Sequence, residues 1–404
     1  MSSIEASPDR FEFVDSLRGF ALFGVFAANL LIFAGVDYLT DAQRVAAFTS
    51  PLDATAFFLE RFFIENKFMG LFAVLFGVSF WLFLRRLDTR GAPAIRVFHR
   101  RIFWLFVFGL AHGWLLWCFD ILRFYALWAV LLPLFVRTAP RRLLAMALFA
   151  SVLLPALVEG ANAWIPASET PGPDYDAIAL AAFSKGSYYD VLRANWQYDW
   201  YLTLSVGQIA YQVAMFGRLL VGLYIARTFD FCTLDGYRTM LLKIVVIGGV
   251  VGVIGNTVFA TKLLSHTGHS ALLAFTRECV IQGGFLGFTL AYASALALAF
   301  SSVRWRPVIQ LLSPVGRMAL TWYLLQTIFG IVLFYGLVHR PALVGHVPPS
   351  LIAIMAVAGF GAQIVFARLW LQRFRFGPAE WVWRGLTYGE APVQRTAALD
   401  DAAV

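Results

Sequence analysis

The sequence predicts an all-α, multi-pass integral membrane protein with about ten transmembrane helices, and three observations support this fold class. Hydrophobic residues make up 60% of the 404 residues, whereas soluble domains contain about 45–50%. The mean hydropathy is +0.72, and only 14% of the residues are charged. The apolar residues gather in long uncharged runs, and a helix of about 20 such residues crosses a bilayer.

The first predicted helix, residues 16–36, has no charged side chain from Gly19 to Val36. This run is longer than the roughly 7–15 apolar residues of a signal peptide. No small-residue cleavage site follows it, so we expect it to be retained as a span. Similar runs predict the other helices. They cover residues 66–84, 102–119, 122–136, 143–160, 203–226, 243–261, 279–302, 315–338 and 349–369.

Positive charges alternate between the connectors, and this alternation predicts the topology. The connector after the second helix holds six arginines, and every second connector after it is again rich in Arg or Lys. By the positive-inside rule these connectors and both termini are cytoplasmic. The long connector 161–202 has only two basic residues, so we expect it outside. We interpret residues 1–390 as one transmembrane domain and residues 391–404 as a disordered tail.

The net charge of +8 indicates a topology signal and contact with lipid headgroups rather than nucleic-acid binding. The expected partner is therefore the lipid bilayer, with no nucleic acid, and no oligomeric state follows from the pattern. Cys118, Cys232 and Cys279 stand apart, so they indicate neither a metal cluster nor a disulfide framework. No phosphate loop, dinucleotide fingerprint or lipase elbow is present. The sequence predicts no metal and no permanently bound cofactor.

The candidate catalytic residues are His112, Asp120 and Asn29. His112 lies within the third helix, and histidine can act as a base or a nucleophile near neutral pH. Asn29 falls at a similar depth in the first helix, and Asp120 could orient the imidazole as in a catalytic triad. One alternative is a packing hydrogen bond at His112, worth about 1 kcal/mol or less. Another is an exposed ion pair between Asp120 and Arg123, which the spacing alone favours.

The candidate binding residues are mostly cations near or inside the predicted helices. Asp15 and Arg18 are three residues apart, so they share one face of the first helix. An arginine there could hold a phosphate or carboxylate bidentately, or it could form a local salt bridge and snorkel into the headgroups. Arg218 interrupts the apolar sixth helix, which indicates either a functional site or a snorkelling side chain. The full set is Asp15, Arg18, Arg100, Arg101, Arg123 and Arg218.

Several stretches resemble the YeiB-like bacterial membrane proteins, a family known by a domain of unknown function, 418. The likeness extends in order over most of the chain and makes residues 227–390 the C-terminal, family-defining half. It implies location in a bacterial inner membrane. The stretches are residues 15–24 with Asn29, residues 67–80, Arg100-Arg101 leading to Gly109–His112, Asp120–Leu122 with Tyr125-Ala126, residues 316–326 and residues 377–389.

The opening Asp15-Ser-Leu-Arg-Gly with the later Asn29 is also similar to the first helix of the transmembrane acyltransferases, including heparan-α-glucosaminide N-acetyltransferase. Those enzymes move an acyl group from cytoplasmic acyl-CoA to a sugar across the membrane. The similarity implies acyl-CoA as a co-substrate and an extracytoplasmic glycan or lipid-linked acceptor. In that group the catalytic histidine soon follows the asparagine. Residues 36–55 contain none, so His112 would take its place.

In this hypothesis Arg18, with Arg100 or Arg101, meets the phosphates of acyl-CoA. His112 acts as a general base or transient acyl carrier, and Asn29 hydrogen-bonds the carbonyl oxygen or the oxyanion. Two other hypotheses stay open. The polar residues could line the path of a transporter or efflux protein, for which inverted repeats with paired broken helices are typical. Alternatively, the chain is a non-catalytic membrane scaffold.

Overall fold

The computed structural model describes residues 8–89, 91, 93–165, 172–231, 233–263, 270–337 and 341–395. Across these residues the chain is helical, apart from one backbone bridge between Phe374 and Arg395, so the all-α prediction is confirmed. The first helices are α1 (Pro8–Phe33), α2 (Asp41–Ala47), α3 (Pro51–Phe63), α4 (Lys67–Asp88), α5 (Ala94–Leu115), α6 (Leu122–Ala129), α7 (Pro140–Leu148), α8 (Leu154–Asn162) and α9 (Tyr175–Lys185). The others are α10 (Tyr188–Leu204), α11 (Val206–Thr228), α12 (Arg238–Ala260), α13 (Ala271–Ser301), α14 (Arg306–Gln310), α15 (Ser313–Arg317), α16 (Ala319–Phe334), α17 (Pro349–Arg373) and α18 (Pro378–Tyr388).

Seven helical segments in the described part of the chain are long and apolar enough to cross a membrane. The chain from α14 to α16 forms an eighth candidate, whose two parts meet at 77°. These segments are those of a multi-pass membrane protein. The predicted runs 102–119 and 122–136 fall on α5 and α6, which are not among them. The seven are Glu12–Phe33, Pro51–Asp88, Pro140–Asn162, Val206–Thr228, Leu234–Ala260, Ala271–Ser301 and Pro349–Arg373.

Two of the predicted runs are not single helices, and on this point the prediction was wrong. The run 315–338 breaks at Met318, between α15 and α16. The run 122–136 ends as an α-helix at the end of α6 and continues as a 3₁₀ turn, Leu132–Phe135. That turn contains Pro133, which has no N–H to continue the α-helical ladder.

Glycines bring the helices around the broken span into close contact. α15 crosses α1 where Gly316 meets the backbone of Asp15, and a Cβ atom at Gly316 would lie 1.8 Å from that carbonyl oxygen. Further along, Gly330 of α16 packs against Phe33 of α1, and a Cβ atom at Gly330 would lie 2.4 Å from a carbon of the Phe33 ring. The two contacts occur in the same order along both segments, so the broken span α15–α16 runs in the same general direction as α1.

The connector 161–202 is helical over much of its described part and covers the turn between α5 and α6. The side-chain amide of Asn195 donates to the carbonyl of Leu116 at 3.1 Å, and the hydroxyl of Tyr188 donates to the carbonyl of Leu115 at 2.8 Å. The end of α5 is therefore fixed by side chains from α10.

The last described residues, 391–395, fold back on the segment that begins α18. The backbone N–H of Arg375 donates to the carbonyl of Gln394 at 2.8 Å. The indole N–H of Trp381 donates to the carbonyl of Pro392, also at 2.8 Å. Residues 396–404 of the predicted tail lie outside the described residues. α18 itself packs on α5 and α16, which brings the C-terminal segment to the cavity described next.

Candidate functional site

A cavity of about 680 Å³ lies among α1, α4, α5, α6, α15, α16 and α18. Small-molecule sites typically have volumes of about 300–1,000 Å³. One end is basic, because five arginines and two carboxylates line it, and the deeper part is apolar and aromatic. The basic end contains Arg18, Arg86, Arg101, Arg317 and Arg384 with Asp15 and Glu380, and the deeper lining includes Leu22, Val25, Phe72, Phe76, Leu105, Tyr125 and Tyr323.

Arg18 is held in place on both sides of its guanidinium group. Nη1 donates to Oδ1 of Asp15 at 2.6 Å, and Nη2 donates to the hydroxyl of Ser79 on α4 at 2.6 Å. The expected local salt bridge is therefore present, and both of its side chains also line the cavity. About a third of the Arg18 side chain is exposed, 29%, so the group can reach a bound ligand.

Two further arginines lie against aromatic rings at this end. The guanidinium of Arg101 lies 3.7 Å from the ring centre of Trp383, whose indole N–H donates to the Arg101 carbonyl at 2.9 Å. The guanidinium of Arg384 lies 4.4 Å from the ring centre of Phe376. Burial lowers the pKa of Arg384, and the nearby charges of Arg86 and Arg18 lower it further. The crowding of like charges favours an anionic ligand at this end.

Arg100, the neighbour of Arg101, is exposed and does not line the cavity. Arg100 and Arg101 were the alternatives expected to join Arg18 at the phosphates, and of these two only Arg101 lines the candidate site.

Glu380 is a site residue that sequence reasoning missed, although it lies in one of the family-like stretches. Its Oε1 accepts hydrogen bonds from the backbone N–H groups of Leu320 and Thr321, at 2.6 and 3.1 Å, and Oε2 accepts from the Thr321 hydroxyl at 2.6 Å. The carboxylate thus caps the first turn of α16, directly after the break. Burial raises the pKa of Glu380, and the hydrogen bonds from Thr321 oppose that change.

His112 and Asp120 are in direct contact beyond the deep end of the cavity. Nδ1 of His112 lies 2.8 Å from Oδ2 of Asp120, and Nε2 lies 2.9 Å from the hydroxyl oxygen of Thr327 on α16. Both side chains of the pair are buried, with 1% and 0% exposed. A carboxylate only accepts hydrogen bonds, so an ionised Asp120 accepts from Nδ1–H, and the neutral form of the ring is then the Nδ1-protonated tautomer.

Asp120 is held by groups from two helices. Its Oδ1 accepts from the backbone N–H of Arg123 at 2.8 Å, and Oδ2 accepts from the hydroxyl of Tyr323 at 3.3 Å. A Cβ atom at Gly109 of α5 would lie 2.4 Å from that Arg123 nitrogen. The glycine therefore allows the turn carrying Asp120 to fold back on α5.

Arg123 does not form the exposed ion pair with Asp120 that the spacing favoured, and that interpretation was wrong. It is 4% exposed, and its guanidinium forms a buried salt bridge with Asp199 of α10. The second carboxylate oxygen of Asp199 accepts from the indole of Trp114 at 3.0 Å. The connector helix neutralises Arg123, so this arginine binds protein rather than the cavity.

Asn29 lies on the side of α1 that faces the cavity, but no hydrogen bond joins it to His112 within the described residues. Arg18 and Val25 line the cavity, and Asn29 follows Val25 by four residues, so it continues the same helix face. Its side chain is buried, with 4% exposed. Phe26 and Phe33, on either side of Asn29, contact Phe329 and Gly330 of α16, so Asn29 lies near the level of Thr327.

Arg218 is fully buried in the middle of α11, so the snorkelling interpretation was wrong. Its exposed fraction is 0%, and Nη2 donates to the amide oxygen of Gln282 at 2.9 Å. Gln282 in turn donates to Glu278 at 2.8 Å. This buried polar chain is separate from the cavity lining, so the structure does not bring Arg218 together with Arg18.

The described part of the chain contains no group of three or more His, Cys, Asp or Glu side chains suited to a metal ion. The candidate chemistry described above lies in the basic cavity and in the His112–Asp120 pair. The spans and this cavity define the class, a multi-pass helical membrane protein with a ligand-sized cavity among its helices.

The chain belongs to the DUF418 family, as the resemblance predicted. Residues 225–390 match the family model described as "Protein of unknown function (DUF418)". The chain is 30% identical to the uncharacterized protein YxaH of Bacillus subtilis, over 96% of this chain and 97% of that protein. It is 28% identical to the uncharacterized protein YeiB of Escherichia coli, over 93% of this chain and 95% of YeiB. No solved structure matches it significantly.

Proposed function

We propose that this protein is a membrane acyltransferase, which takes an acyl group from cytoplasmic acyl-CoA and passes it to an extracytoplasmic glycan or lipid-linked acceptor. One observation carries the proposal. The basic cavity extends to Tyr323, whose hydroxyl lies 3.3 Å from the carboxylate of the His112–Asp120 pair. A site for an anionic group therefore lies at one end of a ligand-sized space, and an acid–base pair lies just beyond the other end, behind Tyr323.

The cavity matches the chemistry of an acyl-CoA. Its arginines suit phosphate groups, because a guanidinium binds phosphate oxygens through two parallel hydrogen bonds. Arg18 and Arg101 are the arginines that we assign to this role. The apolar walls between the basic end and Tyr323 suit the acyl chain and the methyl and methylene groups of the pantetheine arm. Transfer of these apolar groups out of water lowers the free energy.

The reaction itself is assigned to the buried pair. His112 acts as the general base, or as a transient carrier of the acyl group, and Asp120 holds its ring in the required tautomer. Asn29 continues the cavity-facing side of α1, so its amide is assigned to the thioester carbonyl or its oxyanion. The acceptor would approach from the extracytoplasmic side, where α10 covers the turn between α5 and α6.

This proposal includes the full topology, with ten spans, both termini in the cytoplasm and the protein in a bacterial inner membrane. The arginine-rich connectors and the basic end of the cavity fall at the same ends of the helices, which supports it. In that topology α5 and α6 complete the ten, although they are less apolar or shorter than the other spans.

A second candidate function is transport, and the broken span favours it. Discontinuous helices form the substrate sites of many secondary transporters, where the helix ends bind ions or substrate. Here the bend of 77° between α15 and α16 lies against the cavity. Glu380 already caps the start of α16, so that helix end is occupied by protein, and we rank transfer above transport.

Calorimetric titration of the full-length protein in detergent would test the donor site, with acetyl-CoA, hexanoyl-CoA and free CoA as ligands. We expect hexanoyl-CoA to bind more tightly than CoA, because the apolar part of the cavity accommodates the chain. Arg18→Ala should weaken binding about 10-fold or more, since hydrogen bonds to charged groups contribute about 1.5–3 kcal/mol.

Arg100→Ala is the matched control, because Arg100 carries the same charge but lies outside the cavity lining. Absence of acyl-CoA binding by folded protein would contradict the acyltransferase proposal. Uptake of a solute into liposomes without acyl-CoA would then favour the transporter. A scaffold would show neither activity, and alanine at Asn29, His112 or Asp120 would change only its stability.

A further inference from the structure

Thr327 completes a chain of three side chains that ends in a hydroxyl group. Oδ2 of Asp120 lies 2.8 Å from Nδ1 of His112, and Nε2 of His112 lies 2.9 Å from Oγ1 of Thr327. All three residues are buried, with 1–2% exposed. This order of carboxylate, imidazole and hydroxyl activates serine for nucleophilic attack in unrelated folds, and threonine hydroxyls also serve as enzyme nucleophiles.

The hydrogen bonds fix the direction in which the hydroxyl donates. Asp120 accepts the hydrogen bond from Nδ1–H of His112, so in the neutral ring Nε2 has a free lone pair. Among the described residues, the Thr327 hydroxyl is the group at hydrogen-bond distance that can donate to this Nε2. The other acceptor for this hydroxyl, the carbonyl of Tyr323, is more distant at 3.4 Å. With a neutral, Nδ1-protonated ring, the shorter of the two contacts is the one in which the Thr327 hydroxyl donates to Nε2, the base that would remove its proton.

Thr327 also lies next to the cavity. Tyr323 lines the cavity and precedes Thr327 by one turn on the same face of α16. Its ring centre lies 5.0 Å from that of His112. Tyr323 thus lies between the deep end of the cavity and the Thr327 hydroxyl, and a ligand reaches that hydroxyl only if this side chain rotates aside.

We propose that Thr327 is the nucleophile that carries the acyl group as a covalent ester, an inference that rests on the proposed acyltransferase function. Oγ1 of Thr327 attacks the carbonyl carbon of the thioester and gives its proton to Nε2 of His112. The carbon–sulfur bond breaks, and the thiolate takes that proton and leaves as the free thiol. His112 next takes a proton from the hydroxyl or amine of the acceptor, which attacks the ester. The ester bond to Oγ1 breaks, and His112 returns the proton to Thr327.

The test is acylation of the full-length protein in detergent without an acceptor. One sample receives hexanoyl-CoA, and a second receives p-nitrophenyl hexanoate, an activated ester that needs no CoA site. We expect one hexanoyl group per chain by intact mass, located on Thr327 by peptide sequencing, and a matching burst of p-nitrophenol. Thr327→Ser should keep the adduct, whereas Thr327→Val and His112→Gln should lose it.

Thr289→Val is the matched control, because it removes another buried hydroxyl inside the helices, one that donates to the carbonyl of Lys67. It should acylate like the natural chain. The position of the adduct on the unmodified protein needs no variant, so misfolding of Thr327→Val would not obscure the result.

The outcomes separate this inference from the proposed function. An adduct on His112 or elsewhere, or full acyl transfer by Thr327→Val, would overturn the role of Thr327 and leave the acyltransferase intact. Labelling of Thr327 by the activated ester alone would support the nucleophile and count against acyl-CoA as donor. No acylation by either reagent would overturn the inference.

Discussion

The hydroxyl of Tyr323 lies 3.3 Å from Oδ2 of Asp120, and it accepts a hydrogen bond from the backbone N–H of Ile121 at 3.2 Å. The ring of Tyr323 lines the basic cavity. This contact therefore joins the cavity, which is the candidate binding site, to the buried pair that has the candidate chemistry. A ligand in the cavity would contact Tyr323, and Tyr323 in turn contacts Asp120 of the pair.

Tyr323→Phe should lower turnover roughly 10-fold and change KM less, because the ring still lines the cavity while Asp120 loses a donor. Steady-state kinetics with acyl-CoA would separate the two constants. Tyr125→Phe is the control, since Tyr125 also lines the cavity but donates to the carbonyl of Met69. Equal losses in both variants would show that the Asp120 contact has no special role.

His112→Ala should abolish acyl transfer and leave the protein folded, because general acid–base catalysis contributes about 100- to 10,000-fold. Asp120→Asn should also lower the rate at least about 100-fold, since an amide no longer selects the Nδ1-protonated tautomer. Transfer assays and size-exclusion chromatography would be run together. His346→Ala is the control, because His346 is exposed in a connector. Full activity in His112→Ala would refute the assignment.

Gly316→Ala should strongly destabilise the protein, because the added methyl group would lie 1.8 Å from the carbonyl oxygen of Asp15. Overpacking of this kind typically costs about 1–3 kcal/mol, and backbone on both sides leaves little room to adjust. The thermal midpoint in detergent measures the loss. Gly361→Ala is the control, since nothing lies within 4 Å of a Cβ atom there. Similar midpoints for the two variants would contradict the close crossing of α1 and α15.

Arg123→Met should cost about 3–5 kcal/mol of stability, because it leaves the buried charge of Asp199 without its partner. The double variant Arg123→Met with Asp199→Leu should recover most of that loss. Chemical unfolding of the single and double variants completes the cycle. A double variant that loses as much stability as Arg123→Met and Asp199→Leu together would show that the pair is not coupled. Residual transfer activity is expected, because the backbone N–H of Arg123, not its side chain, holds Asp120.

Glu380 should make stability fall as the pH rises above the ordinary glutamate value of 4.5. Its pKa is raised in the folded protein, so the folded state retains a proton that the unfolded chain has released. Stability is therefore highest below that ordinary value and declines until the pH passes the raised pKa. Glu380→Gln should remove this decline. Thermal midpoints of both proteins between about pH 4 and pH 8 would test it, and parallel curves would count against the assignment.

Much of the helical architecture could be predicted, because hydropathy and charge are local properties. Eight of the ten predicted runs fall on the spans or on the bent pair. The bend at Met318 could not be seen in the same way, since both sides of it are apolar and the break is stabilised from a distance. Glu380, about 60 residues further along the chain, supplies the acceptor for the N–H groups that the break exposes.

The site was predictable only in part. His112 and Asp120 are separated by 8 residues, so a short turn brings them together, and both were candidates from the sequence. Thr327 is 215 residues from His112, and a threonine in an apolar helix has no pattern that marks it. Arg218 and Arg123 were selected as charges in unusual places, but their partners, Gln282 and Asp199, lie on other helices.

The amino-acid pattern alone was enough to predict the membrane class, most of the spans, the family, and His112 and Asp120 as candidate residues, which the structure places in contact. Those properties depend on residue type and short-range spacing. The tertiary structure decided which arginines share a cavity, which are neutralised by other helices, and that a hydroxyl of α16 lies against His112. These outcomes depend on how helices pack, and packing is fixed by contacts such as those of Gly316 and Gly330 between segments that are distant in the chain.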